Sequence, residues 1–360
     1  MTDRRVVTRP EPPRARTLTR PADFVAAGLV APAAAEALAQ VTARYSAAMT
    51  GHLAALVEAA DPADPIARQF LPDPRELESA PQERLDPIGD DAHSPCEGLV
   101  HRYPDRVLLK IVSACPVYCR FCFRRETVGA AKGGMLSHAA FEAALDYIRA
   151  RPEIWEVILT GGDPLALSPR RLAEAVRAIT AVGHVKTIRF HTRVPVAAPD
   201  LVTPELVAAI KVEGVSTWVA LHANHPRELG SEARAALARF ADAGVPLVSQ
   251  TVLLRGVNDN ADTLAALMRA FVEARVKPYY LHHPDLAPGT GHFRLPIEEG
   301  RRIVAEMMRR VSGLARPAYV LDIPGGYGKI PLGPEMAAPD GAGGWLLEDP
   351  AGRAHSYRDD

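Results

Sequence analysis

The sequence predicts an α/β fold built on a parallel sheet, and three observations predict it. Apolar, β-branched runs recur along residues 106–322. Amphipathic helical stretches separate them. The unusual polar and glycine-rich segments fall just after the runs. Strands that alternate with helices pair in parallel, because each helix carries the chain back to the edge where the next strand starts. Periodicity leaves open whether the sheet is an open doubly wound one or a barrel.

The expected strands are "RVLLKIV" (106–112), "WEVILT" (155–160), "VKTIRF" (185–190), "STWVAL" (216–221), "VPLVSQTVLL" (245–254), "KPYYLH" (277–282) and "AYVLD" (318–322). Helices are expected over 137–150, after Ser168, after Thr203, and over 231–243, 260–274 and 297–311. Ser168 is an N-cap with Pro169 in the first turn, and Leu172, Val176 and Ile179 share one stripe. Thr203 and Pro204 repeat that start, with Leu206 and Ile210 on one face and Gly214 as the C-cap. The result is six strand–helix units and a seventh, short strand. Upstream, residues 17–75 are rich in Ala and Leu and read as helices broken at Pro32 and at "DPADP", while 76–104 read as a polar connector. Residues 1–16 are Arg- and Pro-rich without an apolar core, as expected of a disordered arm. Residues 105–314 form the sheet–helix domain, and 315–360 a C-terminal segment whose end, "WLLEDPAGRAHSYRD", reads as a hairpin turning at "DPAG".

A length of 360 residues suffices for a sizeable core, and a net charge of −1 gives no global field to recruit nucleic acid or an anionic membrane. The apolar runs are too short or too broken to span a bilayer, so a cytoplasmic protein is expected. Three of the four cysteines crowd together, which fits a metal or redox site better than a disulfide framework.

Each expected strand is followed by an unusual segment. The first leads to the cysteines, and the next ones to "TGGDP" (160–164), "HTR" (191–193) and "HANHP" (222–226). The fifth carries Gln250, and the last two lead to "HHPD" (282–285) and "DIPGGYGK" (322–329). Each alone reads as a turn. Together they mark one edge, the carboxyl ends of parallel strands, where active sites of such sheets form.

Two of these segments suggest specific chemistry. "SACPVYCRFCFRR" (113–125) places Cys115, Cys119 and Cys122 within eight positions. A structural zinc site takes four ligands, and Cys96 in "SPCEG" has no partner spacing, although a histidine could complete one. Iron–sulfur clusters also take thiolates, and three of them on a four-iron cluster leave one iron open. Lys329 follows a glycine-rich turn. It is either a surface lysine or one that forms a Schiff base with pyridoxal phosphate (PLP).

The C-x₃-C-x₂-C spacing after the first strand resembles the signature of the radical S-adenosylmethionine (SAM) superfamily. That resemblance implies a partial (β/α)₆ TIM-like barrel and a [4Fe-4S] cluster on Cys115, Cys119 and Cys122. It also implies that the open iron binds SAM, whose reductive cleavage gives a 5′-deoxyadenosyl radical. "GGDP" is similar to the superfamily's second glycine motif, which places Gly161, Gly162 and Asp163 beside the SAM amino group.

A closer resemblance, to the lysine 2,3-aminomutase family, runs from about residue 64 to 332. It rests on "DPIARQFLPD", "GLVHRYPDRVLLK", "CPVYCRFCFRR", "LTGGDPL", "HANHPRE", "SQTVLLRGVND", "PYYLHHPDLAPGTGHFR" and "DIPGGYGKIPL". It implies that Lys329 forms the imine with PLP, with Arg102, Tyr103, Arg106 and Gln250 around that cofactor. Arg124 would bind the substrate carboxylate, and Asp285 and Asp322 the distal ammonium of lysine. The implied reaction is migration of the α-amino group of L-lysine to C3, with flavodoxin or ferredoxin as electron donor and a homo-oligomeric enzyme. The chain lacks the cysteine-rich zinc site that longer relatives carry near the C-terminus. It keeps the acid at 322, which favours an enzyme of free lysine over the branch that makes (R)-β-lysine for elongation factor P, or over one acting on another amino acid. Two rivals stand beside this reading: another radical SAM enzyme in which Lys329 is incidental, and a non-enzymatic iron–sulfur or zinc protein.

Overall fold

The computed structural model describes residues 16–59, 61–129, 134–333, 337–341, 344–349 and 353–358. Nine strands follow one another across one sheet in chain order: β1 (Leu99–Tyr103), β2 (Arg106–Val112), β3 (Glu156–Gly161), β4 (Thr187–Thr192), β5 (Ser216–His222), β6 (Leu247–Val252), β7 (Val276–His282), β8 (Ala318–Asp322) and β9 (Lys329–Pro331). Strands β2 to β8 are parallel, while β1 and β9 run antiparallel at the two edges. Among the described residues β1 and β9 share no ladder, so the sheet curls without closing. This decides the choice that periodicity left open: the architecture is a partial (β/α)₆ barrel.

Helices α1 (Pro21–Ala26), α2 (Ala35–Arg44), α3 (Gly51–Leu56) and α4 (Pro65–Phe70) precede the sheet. The crossovers carry α5 (His138–Arg149), α6 (Pro169–Thr180), α7 (Val194–Ala197) with α8 (Pro204–Ala209), α9 (Ser231–Asp242), α10 (Ala261–Glu273) and α11 (Ile297–Arg310). Several starts are capped as their sequences dictate: Ser137, Thr203 and Asn260 accept N–H groups of the first turns of α5, α8 and α10. Ser168 makes no side-chain cap bond, and Pro169 alone marks the start of α6. Helix α8 stops before Gly214, whose φ of +78° turns the chain into β5 instead of capping the helix.

Strand alternation sorts the side chains. Val107, Leu109, Ile188 and Phe190 point outward and are buried with α-helical residues such as Leu172, Val176, Leu264 and Phe271. The alternate positions, among them Arg106, Thr160, Arg189, His191, His222, Gln250 and His282, line a cavity on the concave side. A fully packed parallel barrel would read as continuous apolar runs. The polar residues interrupting these strands are therefore the cavity wall.

Three differences from the sequence-based expectations have identifiable physical causes. The connector contains β1, which forms a hairpin with β2 through Pro104-Asp105 and ends on Tyr103 paired with Arg106. Its polar tail hid it. The short α7 is seeded by a tertiary contact, the Asp163 carboxylate accepting the N–H of Val194 at 3.2 Å. At the end, β11 (Trp345–Glu348) and β12 (Ala354–Tyr357) form the expected hairpin, but β10 (Ala337–Pro339) adds a third strand to this small sheet. Residues 350–352 of the "DPAG" turn and residues 1–15 of the N-terminal arm lie outside the described residues. Helices α1, α3 and α4 build a second core, which reaches the barrel through Val117 and Ala197. No helix among the described residues is long and apolar enough to cross a membrane.

Candidate active site

The loop after β2 brings Cys115, Cys119 and Cys122 to one end of the cavity, and all three are free thiols. Burial pushes every one of them up, Cys119 to about 11. Ion pairs fix the loop from behind. The Glu76 carboxylate is fully buried and accepts from Arg120 Nε at 2.9 Å and Nη2 at 2.5 Å, and from Arg125 Nη2. Arg120 Nη1 donates to Ser46 O at 2.8 Å, and Arg125 Nη1 to Gly289 O at 3.1 Å. Of the three arginines in "CRFCFRR", only Arg124 turns into the cavity.

Gly161 and Gly162 let β3 press against this loop. A Cβ on Gly161 would lie 2.4 Å from Val112 O, and one on Gly162 would lie 2.2 Å from Ala114 O. The approach is used by hydrogen bonds from Gly162 N to Val112 O (2.6 Å) and from Asp163 N to Ala114 O (3.0 Å). The Asp163 carboxylate itself is fully engaged. It accepts from Thr192 Oγ1 (2.7 Å), Arg193 N (2.7 Å), Val194 N (3.2 Å) and Leu165 N (3.0 Å). It therefore orients the end of β4, where Arg193 pairs with buried Glu228 at 2.5 Å.

At the far edge, β8 and β9 place Asp322 and Lys329 side by side, with Nζ 2.8 Å from Oδ1. His282 Nδ1 lies 3.6 Å from the other carboxylate oxygen, and Arg102 Nη1 lies 3.6 Å from Oδ1. Burial works against ionisation of Asp322, yet His282 and Lys329 outweigh it and hold the carboxyl well below the carboxylate range. Asp285 behaves oppositely. Burial first, and then the nearby Asp322 charge, push it up to about 7. Tyr103 OH accepts the backbone N–H of Lys329 at 2.9 Å, so the residue before the β1–β2 turn holds the start of β9. Arg106 stacks on the Tyr103 ring at 3.9 Å and pairs with Asp105.

Several residues in or behind the cavity wall were given no individual role by the sequence reading. Asp90 accepts from both Arg124 and Arg102. Burial opposes its ionisation, but Arg124 outweighs burial and keeps the carboxyl low. His191, His222 and His282 line the wall, and burial, ahead of nearby arginines or other cationic groups, pushes all three down, His222 to about 3. His191 Nε2 lies 3.2 Å from Gln250 Nε2, which places Gln250 on the same wall. The "HTR", "HANHP" and "HHPD" segments signalled them, but a histidine at a strand end reads equally well as a turn residue until the sheet curls.

The residues fit the groups the sequence implied. The three thiols lie together at one end of the cavity, on one loop. A four-iron cluster would take them on three separate irons. On the opposite wall, the Lys329 amine reaches into the cavity, and His282 Nε2 and Arg102 Nε are buried without a hydrogen-bond partner. Such atoms suit a bound polar cofactor.

Comparison with known proteins agrees. Residues 109–268 match the radical SAM superfamily. The chain is 40% identical to L-lysine 2,3-aminomutase of Clostridium subterminale over 299 residues, 83% of this chain and 71% of that one. It is 39% identical to L-lysine 2,3-aminomutase of Acetoanaerobium sticklandii over 80% of this chain and 69% of that one. It is 38% identical to L-lysine 2,3-aminomutase of Escherichia coli strain K12 over 77% of this chain and 80% of that one. A curled (β/α)₆ sheet, three thiols after its first parallel strand and an amine-bearing far edge thus coincide with extensive identity: the chain belongs to the lysine 2,3-aminomutase family of radical SAM proteins.

Proposed function

We propose that the protein is an L-lysine 2,3-aminomutase, which moves the α-amino group of lysine to C3 and gives β-lysine, using SAM, a [4Fe-4S] cluster and PLP. The observation that carries this is the polarity of one cavity. It presents an arginine, Arg124, near the thiols, and two acids, Asp285 and Asp322, beside Lys329. An amino acid with a carboxylate at one end and a cation at the other matches that pattern. An anionic side chain would face two acids.

In this reading Cys115, Cys119 and Cys122 hold the cluster. The Gly161–Gly162–Asp163 turn forms the wall beside SAM, with Asp163 acting by orienting Arg193 and Thr192. Lys329 holds PLP through its amine, flanked by Arg102, Tyr103, Arg106 and Gln250. When bound, these groups supply an adenosyl radical and a conjugated ring that spreads spin next to nitrogen. Arg124 binds the α-carboxylate, and the acid pair fixes the distal ammonium, so that the β-carbon is presented in one orientation. The apolar wall of Leu108, Ile158 and Val252 keeps water from the reacting carbons, with His191, His222 and His282 on the same wall. Electrons come from a small redox protein such as flavodoxin or ferredoxin, and the working enzyme is a homo-oligomer.

The test is anaerobic incubation of the reconstituted protein with L-lysine, SAM and reductant, and analysis for β-lysine. Lys329→Ala should abolish both product and the visible imine band while cluster absorption stays. Fully loaded enzyme that leaves lysine unchanged refutes the proposal.

A further inference from the structure

Asp90 lies on the loop 86–93, outside the motifs that carry chemistry, yet it is only 6% exposed. Its Oδ2 accepts from Arg124 Nε at 3.1 Å and Nη2 at 2.9 Å, and its Oδ1 from Arg102 Nη2 at 3.1 Å. Arg124 Nη1 turns the other way, 3.4 Å from Thr160 Oγ1 at the end of β3. The Nε edge of the guanidinium is thus taken, and its Nη1 end is left for a ligand. The loop is pinned. Asp90 N and Asp91 N each donate to the Asp86 carboxylate at 2.9 Å, and Ser94 Oγ donates to Asp90 O at 2.8 Å. It also packs on the turn before Lys329. A Cβ on Gly89 would lie 2.4 Å from Gly326 N, and His93 Nε2 is 3.1 Å from Gly326 O.

We propose that Asp90 is a positioning residue for the substrate carboxylate: it fixes Arg124 end-on toward the cavity and ties it, through its loop, to the turn that carries Lys329. This rests on the reading of Arg124 as the carboxylate-binding group. Removing the Asp90 charge raises the local positive potential, which alone would favour a carboxylate. Orientation opposes this, because without that carboxylate nothing holds the Nε edge of Arg124, and Arg102, bound to the same carboxylate, repels it. The directional, charge-assisted contact outweighs the diffuse potential at this range.

The experiment is calorimetric titration of the anaerobic holoenzyme with L-lysine and with 1,5-diaminopentane, which lacks only the carboxylate. Asp90→Asn should raise the Kd for lysine about ten-fold or more and leave the Kd for the diamine nearly unchanged. Asp90→Glu, which restores the charge, should recover most of the lost affinity. Equal weakening toward both ligands would show a merely structural residue and overturn the proposal. So would unchanged or tighter lysine binding in Asp90→Asn, which would make Asp90 a competitor of the substrate. If the wild type ignores lysine but binds another α-amino acid, the substrate reading fails alone, and the same comparison with that acid and its decarboxylated amine decides Asp90. A holoenzyme that binds no amino acid overturns both.

Discussion

The Lys329 amine, 2.8 Å from Asp322, sits where the proposed distal ammonium of the substrate would go. One carboxylate cannot pair fully with two cations, so in the proposed reading Asp322 would serve the substrate ammonium only when the Lys329 amine is engaged elsewhere. Asp322→Asn should therefore raise the KM for lysine by about ten-fold or more, the scale of one charge-assisted bond, while SAM cleavage changes less. Equal KM values in steady-state assays of variant and wild type would contradict the assignment. Asp285 adds a pH dependence. Facing Asp322, Lys329, Arg124 and Arg102, its carboxyl is neutral below about 7 and charged above. A cation binds the charged form better, so lysine affinity should tighten as pH rises through about 7. The Asp285→Asn profile should be flatter. Parallel profiles for the two proteins, measured by calorimetry, would assign the titration to another group.

The cysteine loop owes its shape to elements distant in sequence. Glu76, on the turn that follows α4, neutralises Arg120 and Arg125, and β3 presses on the loop through glycines that leave no room for a side chain. Both are packing requirements of the cysteine loop and are distinct from ligand contacts. Glu76→Gln leaves two buried guanidinium groups short of a partner charge. It should cost about 3–5 kcal/mol in urea unfolding and lower the iron retained per chain. Full stability in that variant would show that the arginines find other partners. The sequence displayed Arg120, Arg124 and Arg125 as one basic run. Only the fold separates the cavity-facing arginine from the two that turn back.

Across the molecule, the curled sheet has two open edges, and side chains join them where no ladder does. Tyr103 on β1 accepts the N–H of Lys329 on β9, and the loop 86–93 bridges the same gap through Gly89 and His93. The amine-bearing residue is therefore held by the first strand of the sheet as well as the last. Tyr103→Phe removes one hydrogen bond. It should lower stability by about 1 kcal/mol and speed hydrogen exchange at the Lys329 amide. Unchanged exchange at that amide would place the closure elsewhere.

The sequence by itself determined the strand–helix alternation, six of the crossover units, the thiol trio, the glycine turn and the amine near the end. Each is encoded locally, by residue type and short spacing, and the structure places the thiols, the glycine turn and the amine on one cavity. Tertiary structure alone decided the curl of the sheet, the strand β1 hidden in a polar connector, the contact of Asp163 with the start of α7, and the placement of Asp90 and the three histidines. Those depend on which residues far apart in the chain face each other. An aspartate in a loop has no local signature that distinguishes a turn from the partner of two buried arginines, because Arg102 on β1 and Arg124 on the loop after β2 face it only once the β1–β2 hairpin and the cysteine loop have folded against loop 86–93.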